Sequence, residues 1–255
     1  MSEGRALPQA AYDAYRHVAL EATGSTNAEG LARARAGDPG KLWITAGRQT
    51  EGRARRGRSW TSEPGNLYAS LLLIDPAPAA ALASLPLAVA VAVRDAVQSV
   101  LPPGAGVPDI KWPNDVLIHG RKVSGILLEA EQLPDGRQAL VIGCGINIAH
   151  APEAALYPVA RLGAEGATAA PDEVFAHLLI AMADMLALWD HGAGLSAVIA
   201  RWRRHAIGLG RPITVRLTSE TLLGRFDDID DEGRLVLTED SGRRRLIAAG
   251  DVFFG

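Results

Sequence analysis

The sequence predicts two domains: a large domain of mixed α-helices and β-strands, followed by a small all-β domain. From about residue 17 to residue 206, segments with a helical spacing of apolar residues alternate with short apolar strands. After Gly208-Leu209-Gly210 the pattern changes to short strand-like segments separated by turn residues, which is typical of a small barrel. We therefore expect one domain over residues 1–207 and a second over residues 208–255.

The first part of the large domain is predicted to consist of short elements around one long loop. Ser25 is suited to cap a helix, and Gly37-Asp38-Pro39-Gly40 is suited to end it. The loop, residues 47–66, has almost no aliphatic side chains, and such a stretch inside a compact domain is usually functional or disordered. The predicted elements are a helix or arm at 8–16, a helix at 26–36 and strands at 17–21, 42–46 and 67–74.

The second part of the large domain is predicted to begin with one long apolar helix, residues 79–101, buried on nearly all sides. Strands are expected at 109–112, 115–118, 122–131 and 139–148, with a turn at His119-Gly120, and helices at 173–189 and about 195–206. The barrel strands are expected at 213–217, 222–229, 235–238 and 244–248.

Composition limits the classes of function. Hydrophobic residues make up 48% and charged residues 22%, as in an ordinary globular protein. The net charge of −3 argues against coating nucleic acid or an anionic membrane with the whole surface. We expect no membrane span, and no signal peptide because residues 1–9 lack an apolar segment. The single cysteine, Cys144, cannot form an internal disulfide, which fits a cytoplasmic location.

Lysine and asparagine are unusually scarce. Of 26 basic residues only Lys41, Lys111 and Lys122 are lysines. An ammonium that survives such a preference for arginine can be a chemical requirement, because a point charge and a planar fork are not interchangeable. Coding bias with accidental leftovers is the alternative. The four asparagines are Asn27, Asn66, Asn114 and Asn147.

The most distinctive segment is Gly52-Arg53-Ala54-Arg55-Arg56-Gly57-Arg58-Ser59-Trp60, called the arginine loop below. Guanidinium groups suit phosphate and carboxylate oxygens, and glycines let a backbone approach a ligand closely. A clamp for an anionic ligand is therefore one interpretation. A solvated basic loop and a nucleic-acid patch are the others.

A second segment, Lys111-Trp112-Pro113-Asn114-Asp115, breaks a strand at its proline. Asp115 could hold Mg²⁺, which takes oxygen ligands and substrate phosphates, and Lys111 could neutralise phosphate charge. The alternative is an Asx turn beside an exposed lysine, which the segment alone favours.

Three further segments carry candidate residues. Lys122 opens the apolar strand Lys122-Val123-Ser124-Gly125-Ile126-Leu127-Leu128-Glu129, where a lysine is normally a solvated end residue. Ser25-Thr26-Asn27 offers two hydroxyls and an amide, or simply caps a helix. Gly143-Cys144-Gly145-Ile146-Asn147 places two glycines on a strand, which indicates close approach of a ligand or another backbone. Cys144 is expected to be a small core residue, and the six histidines are scattered without a metal-binding pattern.

As a set, these segments resemble the biotin–protein ligase family, in the family's order and spacing from about Ala19 to Phe254. The resemblance implies an α+β fold: a mixed sheet flanked by helices, like the catalytic domain of class II aminoacyl-tRNA synthetases, plus a C-terminal SH3-like β-barrel. It implies ATP-dependent formation of biotinyl-5′-AMP and transfer of biotin to a lysine of a biotin carboxyl carrier domain. ATP and biotin would be substrates, with Mg²⁺ as cofactor.

The resemblance also implies roles for individual residues. Lys122 and Arg55 would be catalytic, and Asp115 would hold the metal. Biotin would be bound by Ser25, Thr26, Asn27, Gln49, Gly52, Arg53, Ala54, Arg55, Lys122 and Gly125. ATP would be bound by Arg56, Arg58, Trp60, Lys111, Asn114 and Asn147.

The sequence departs from the family pattern at one loop position and in one domain. The family loop usually has glycine where this chain has Ala54; if that position needs a positive φ, alanine costs about 1 kcal/mol. Some members carry an N-terminal helix-turn-helix that represses transcription. About eighteen residues precede the first predicted core strand, so we expect no DNA-binding repressor. No membrane partner is expected, and a homodimer is left open.

Three alternatives differ from this interpretation in testable ways. A lipoate–protein ligase would show ligand-dependent melting with lipoate instead of biotin. A nucleic-acid-binding protein would show strongly salt-dependent binding, although the acidic balance and the lack of interleaved aromatic residues argue against it. A non-catalytic biotin sensor would not need Lys122 and Asp115.

Overall fold

The large domain is built on a seven-stranded sheet with the order β1-β2-β3-β7-β6-β5-β4. The computed structural model describes residues 14–152 and 158–254, so most of the predicted segment 8–16 lies outside the described residues. β1 pairs with β2 in parallel and the other neighbours are antiparallel, which makes the sheet mixed as predicted. The strands are β1 (Arg16–Leu20), β2 (Leu42–Ala46), β3 (Leu67–Ile74), β4 (Pro108–Lys111), β5 (Asp115–Ile118), β6 (Arg121–Gln132) and β7 (Gln138–Ile146).

Helices cover both faces of this sheet. Successive side chains of a strand point to opposite faces. Accordingly Leu72 and Val141 pack with α1 (Thr26–Arg35), whereas Leu71 and Ile142 belong to the larger core on the other face. That larger core also holds α3 (Leu85–Ser99), α4 (Pro171–Trp189) and α5 (Leu195–His205).

The prediction of one long apolar helix over residues 79–101 is wrong in one respect, because the segment forms two helices. A single turn, α2 (Ala79–Leu82), ends before α3 begins. Pro86 lies in the first turn of α3 and has no N–H to donate to the carbonyl of Leu82, so a continuous helix would break there. Ser84 fills the break by donating its hydroxyl to the Ala81 carbonyl at 2.7 Å.

The segment Pro171–Gly192, which contains α4, is long and apolar enough to cross a membrane by length and composition. The expectation that no segment would reach that length is therefore wrong on this criterion. The helix nevertheless packs in the core, where Leu178, Met182 and Trp189 are buried. Its end is fixed by the Trp189 indole N–H, which donates to Ser84 Oγ at 2.9 Å.

A five-stranded antiparallel sheet forms the C-terminal part, with the order β11-β10-β9-β8-β12. Its strands are β8 (Pro212–Arg216), β9 (Thr221–Ile229), β10 (Leu235–Thr238), β11 (Arg244–Ile247) and β12 (Asp251–Phe254). Four were predicted and β12 was missed. β12 pairs with β8, so the last strand returns to the start of this sheet.

The two sheets are joined by buried contacts. Apolar residues of the second sheet, among them Val215 and Phe226, belong to the same core as the large domain. The Trp112 indole N–H donates to the Gly233 carbonyl at 3.2 Å, and Arg203 of α5 pairs with Asp228 of β9 at 2.8 Å. The second sheet is therefore held at a fixed place beside the large domain.

Candidate active site

One cavity of about 440 Å³ lies over the central strands β3, β6 and β7 and is bounded by the arginine loop and β12. This volume falls within the range of sites for small molecules. Its walls come from segments far apart in the chain, including 25–27, 53–61, 143–145 and 251–252. Gly125 on β6 and Gly143 and Gly145 on β7 line the cavity, and we call this part of the sheet its floor because no side chains project from these positions.

One end of the cavity is neutral and rich in hydrogen-bonding groups. Gln49 Oε1 accepts from the backbone N–H of Thr26 at 2.9 Å and from its hydroxyl at 3.1 Å. The Ser70 hydroxyl oxygen lies 2.7 Å from Thr26 Oγ1 and 2.6 Å from Asn27 Oδ1. Ser25 caps α1 through an N–H of Ala28 at 3.5 Å. The helix start therefore presents hydroxyl and amide groups in positions fixed by their neighbours.

Glu129 connects this end of the cavity to the arginine loop. Its Oε2 accepts from Asn27 Nδ2 at 2.8 Å and from an Arg53 guanidinium at 3.1 Å. Asn27 Nδ2 also lies 3.2 Å from the Leu127 carbonyl, so its amide is fixed from β6. A side chain at Gly143 would place its Cβ 2.3 Å from Asn27 Oδ1, which explains why this floor position is glycine.

The indole of Trp60 lies over two other floor glycines. A Cβ at Gly125 or at Gly145 would come within 2.8 Å of its ring atoms. Lys122 Nζ lies 5.5 Å from the Trp60 ring centroid, within the range of a cation–π contact. Glycine at positions 125 and 145 therefore allows the loop tryptophan to approach the sheet closely, and Lys122 lies against the same indole at a cationic end of the cavity.

The cationic end contains the two lysines of the sequence motifs, Lys111 and Lys122, beside the carboxylate of Asp115. Lys122 Nζ pairs with Asp115 Oδ1 at 2.7 Å, and both side chains are largely buried, with 19% and 14% exposure. Burial lowers the pKa of Lys111; nearby Lys122 acts in the same direction and Asp115 opposes it. Lys111 Nζ also lies 5.6 Å from the Phe253 ring centroid, on β12. Removal from water at this end strengthens the attraction of these cations for an anionic ligand.

The arginine loop is ordered by its own backbone. Ala54 N–H donates to the Arg58 carbonyl at 2.7 Å, and Trp60 N–H donates to the Gly52 carbonyl at 2.8 Å. Ala54 has a φ of −123°, so the glycine usual at this position is not required and the expected cost does not arise. The left-handed residues are instead Arg56, with φ 58°, and Gly57, with φ 69°.

Three arginines of the loop converge on Asp251, the first residue of β12. Arg55 donates to Asp251 Oδ1 at 3.1 Å, and Arg56 and Arg58 lie 3.1 Å and 3.5 Å from Oδ2. The Asp251 side chain is only 11% exposed. Sequence reasoning missed this residue because it stands in no motif and belongs to the strand that was not predicted.

Most of the residues predicted for the site line this one cavity. All of them lie in the described part of the chain, and three of them do not line the cavity. Gly52 packs against the Trp60 carbonyl, which a Cβ would approach to 2.4 Å. Arg56 faces Asp251 and the Arg216 carbonyl. Asn114 is buried and donates to the Ile126 carbonyl at 2.7 Å. The predicted residues on the wall are Ser25, Thr26, Asn27, Gln49, Arg53, Ala54, Arg55, Arg58, Trp60, Lys111, Asp115, Lys122, Gly125 and Asn147.

Two other residues on the wall have strongly shifted acidities. Burial raises the pKa of Cys144 to about 12, so its thiol is protonated at neutral pH and is a poor nucleophile. Burial likewise raises the pKa of Tyr68 to about 12, and its hydroxyl donates to the Glu63 carbonyl at 2.7 Å.

Among residues 14–152 and 158–254, no group of three or more His, Cys, Asp and Glu residues could hold a metal ion alone.

The fold and the arrangement of the cavity agree with two family models. Residues 25–147 match the Biotin/lipoate A/B protein ligase family, and residues 208–255 match the Biotin protein ligase C terminal domain. The first match contains the arginine loop and both lysine motifs, and the second contains the whole C-terminal sheet. The class is therefore a ligase catalytic domain joined to an SH3-like barrel.

Comparison with individual proteins narrows this class. The chain is 40% identical over 242 residues to the biotin–[acetyl-CoA-carboxylase] ligase of Paracoccus denitrificans, covering 92% of this chain and 99% of that protein. It is 35% identical over 236 residues to the ligase of the same name from Mycobacterium tuberculosis, covering 90% and 85%. Its structure resembles the biotin protein ligase from Aquifex aeolicus in complex with biotin and ATP, with a TM-score of 0.78, 26% identity and coverage of 93% and 97%. The chain belongs to the biotin protein ligase family.

Proposed function

We propose that this protein activates biotin with ATP and transfers it to a lysine of an acceptor protein. The observation that carries the proposal is that a neutral hydrogen-bonding end and a cationic end belong to one cavity. An uncharged polar ring system suits the first end, and a carboxylate with a triphosphate suits the second. A reaction that joins two such reactants would use both ends of this one site.

The neutral end favours biotin over lipoate. The ureido group of biotin has two N–H donors and a carbonyl acceptor, whereas the dithiolane ring of lipoate has no such groups. Thr26, Asn27 and Gln49 already form a hydrogen-bonded network at this end. A ureido group can use the acceptor sites of these oxygens that the network leaves over, whereas a dithiolane cannot.

In the first step the biotin carboxylate oxygen attacks the α-phosphorus of ATP. A new P–O bond forms, the bond to the bridging oxygen breaks, and pyrophosphate leaves with the electron pair. Both reactants are anions, so their approach is costly without cations. Lys111, Lys122 and Arg58 line the cationic end and supply that charge. Lys122 would contact carboxylate and phosphate oxygens together, because a rotatable ammonium can donate in several directions.

In the second step the neutral amine of an acceptor lysine attacks the acyl carbon of the mixed anhydride, and AMP leaves with the bonding electrons. The amine nitrogen loses a proton as the amide forms. The arginine loop covers the cavity at this stage and keeps water from the reactive anhydride. Its connection to Glu129 through Arg53 links closure of the loop to the neutral end.

Mg²⁺ fits this site as an ion that arrives with the nucleotide. Asp115 lines the cavity, and the adjacent Asn114, which does not line it, has a buried Oδ1 without a hydrogen-bond partner among the described residues. These are oxygen donors of the kind Mg²⁺ takes, together with phosphate oxygens and water. The bound ion would neutralise phosphate charge. Asp115 would hold it, and its present pairing with Lys122 keeps the carboxylate in place.

The acceptor that we propose is the carrier domain of a biotin-dependent carboxylase; the names of the relatives in Paracoccus and Mycobacterium give acetyl-CoA carboxylase as theirs. We place the catalytic domain at residues 1–207 and the C-terminal domain at residues 208–255, and the reaction in the cytoplasm. That the protein does not bind DNA stays a prediction, and so does a possible homodimer.

Biotin-dependent and ATP-dependent labelling of a purified carrier domain tests the proposal. We expect label on the carrier only when the protein, biotin and ATP are all present, with one pyrophosphate released per biotin activated. Reactions without biotin, and reactions with lipoate in its place, serve as controls. Labelling with lipoate but not biotin, or pyrophosphate release that does not depend on biotin, would rule the proposal out.

A further inference from the structure

The carboxylate of Asp251 joins the C-terminal sheet to the arginine loop. Three guanidinium groups lie within 3.5 Å of its two oxygens, and the side chain is 11% exposed. Contacts this far from bulk water are screened less than surface ion pairs. One carboxylate of the C-terminal sheet therefore contacts three guanidinium groups of the same loop.

Trp60 fixes one end of the arginine loop by packing on the sheet over Gly125 and Gly145, but residues 53–58 are held over the cavity by polar contacts. Its central turn, Arg55–Gly57, contains no buried residue, and Arg56 adopts a left-handed conformation that costs an L-residue roughly 1 kcal/mol. The bridge between Arg53 and Ser59 orders the loop internally but does not attach it to the protein. Among the described contacts, this segment is attached through Arg53 to Glu129, through Arg56 to the Arg216 carbonyl, and through three arginines to Asp251. A segment with so few buried apolar contacts opens easily when its polar contacts are removed.

We propose that Asp251 is a positioning residue that holds the arginine loop over the cationic end of the cavity before any substrate binds. The C-terminal sheet thereby decides how often the loop is closed in the free protein. On the proposed function, nucleotide phosphates compete with Asp251 for the same guanidinium groups and take its place in holding the loop. Loop order in the free protein, in contrast, does not depend on which reaction the cavity supports.

Limited digestion with trypsin tests this directly, because trypsin cleaves after arginine and the loop carries four. The variants are Asp251→Asn, which keeps the shape and removes the charge, and Asp251→Glu, which keeps the charge. Asp228→Asn is the matched control: it breaks the pair with Arg203 between the same two domains without touching the loop. Cleavage sites are identified by mass spectrometry in the full-length, ligand-free protein, and thermal melting confirms that each variant is folded.

We expect Asp251→Asn to be cut between residues 53 and 58 about fivefold faster than the unaltered protein, because cleavage follows the open fraction of the loop. Asp251→Glu and Asp228→Asn should be cut at the original rate, and ATP should slow the cutting of Asp251→Asn. Equal cleavage of Asp251→Asn and the unaltered protein would overturn the proposal, as would equal acceleration in Asp228→Asn. Faster cleavage in a protein that does not label a carrier would support Asp251 while refuting the proposed function.

Discussion

Lys122 is the residue on which the chemistry depends most directly. Its ammonium lies 2.7 Å from Asp115 and 5.5 Å from the Trp60 ring, so it stands where the loop, the sheet and the cationic end meet. With 19% exposure it is held by its neighbours instead of moving freely in water. A cation fixed in this way stabilises charge that develops during reaction without having to reorganise.

Lys122→Ala should therefore abolish adenylate formation while the fold survives. We expect the rate of biotin-dependent pyrophosphate release to fall by about 10²–10³-fold, the usual loss when one fixed electrostatic contact is removed. Lys41→Ala is the control, because Lys41 is an exposed lysine distant from the cavity wall. Near-normal pyrophosphate release by Lys122→Ala would refute its catalytic assignment, provided that its melting temperature stays close to that of the control.

At the scale of elements, residues 53–58 of the arginine loop show how most of a lid can be held by polar contacts. Arg55 contributes twice, because its guanidinium reaches Asp251 and its carbonyl accepts from the Arg58 guanidinium at 3.3 Å. Both contacts hold a segment that contains no buried residue at its centre. Shortening Arg55 would therefore affect closure more than the integrity of the domain.

Arg55→Gly should loosen the lid and let the adenylate escape. The change removes the ion pair and adds backbone freedom to the open state, by roughly 1 kcal/mol. We expect labelling of a bystander protein without a carrier domain to rise about fivefold, as such a change in free energy allows. Arg137→Gly, in the exposed turn between β6 and β7, is the control. Unchanged release of adenylate into solution would contradict the idea of a lid.

The elements also show what the sequence could reveal. Strands such as β2 and β3 were predicted to the residue, because their apolar runs are bounded by clear turns. The break before α3 was missed, since Pro86 was read as part of an apolar run instead of as the first turn of a new helix. Motif residues on the cavity wall could be found because local sequence carries them. Asp251 could not, because its partner Arg55 lies 196 positions away.

At the scale of the whole molecule, the two domains share one core instead of meeting at a separable surface. Ile213 and Leu235 of the second sheet pack in the same cluster as Val89 of α3 and Ile110 of β4. A backbone hydrogen bond also crosses the junction: Ile207 N–H donates to the Ile110 carbonyl at 2.9 Å. A shared core predicts that both domains unfold together, and it keeps β12 in place beside the cavity.

Trp112 offers a way to measure this coupling, because its indole N–H donates to the Gly233 carbonyl of the second sheet at 3.2 Å. Trp112→Phe removes that bond and some volume, whereas Trp43→Phe removes volume from an indole whose N–H has no partner among the described residues. We expect Trp112→Phe to lower the free energy of unfolding by about 1 kcal/mol more than Trp43→Phe, the usual net value of one hydrogen bond. Urea unfolding followed by tryptophan fluorescence and by circular dichroism measures the difference. Coincident transitions in both variants are expected, and two separate transitions in the unaltered protein would show that the domains are stable independently.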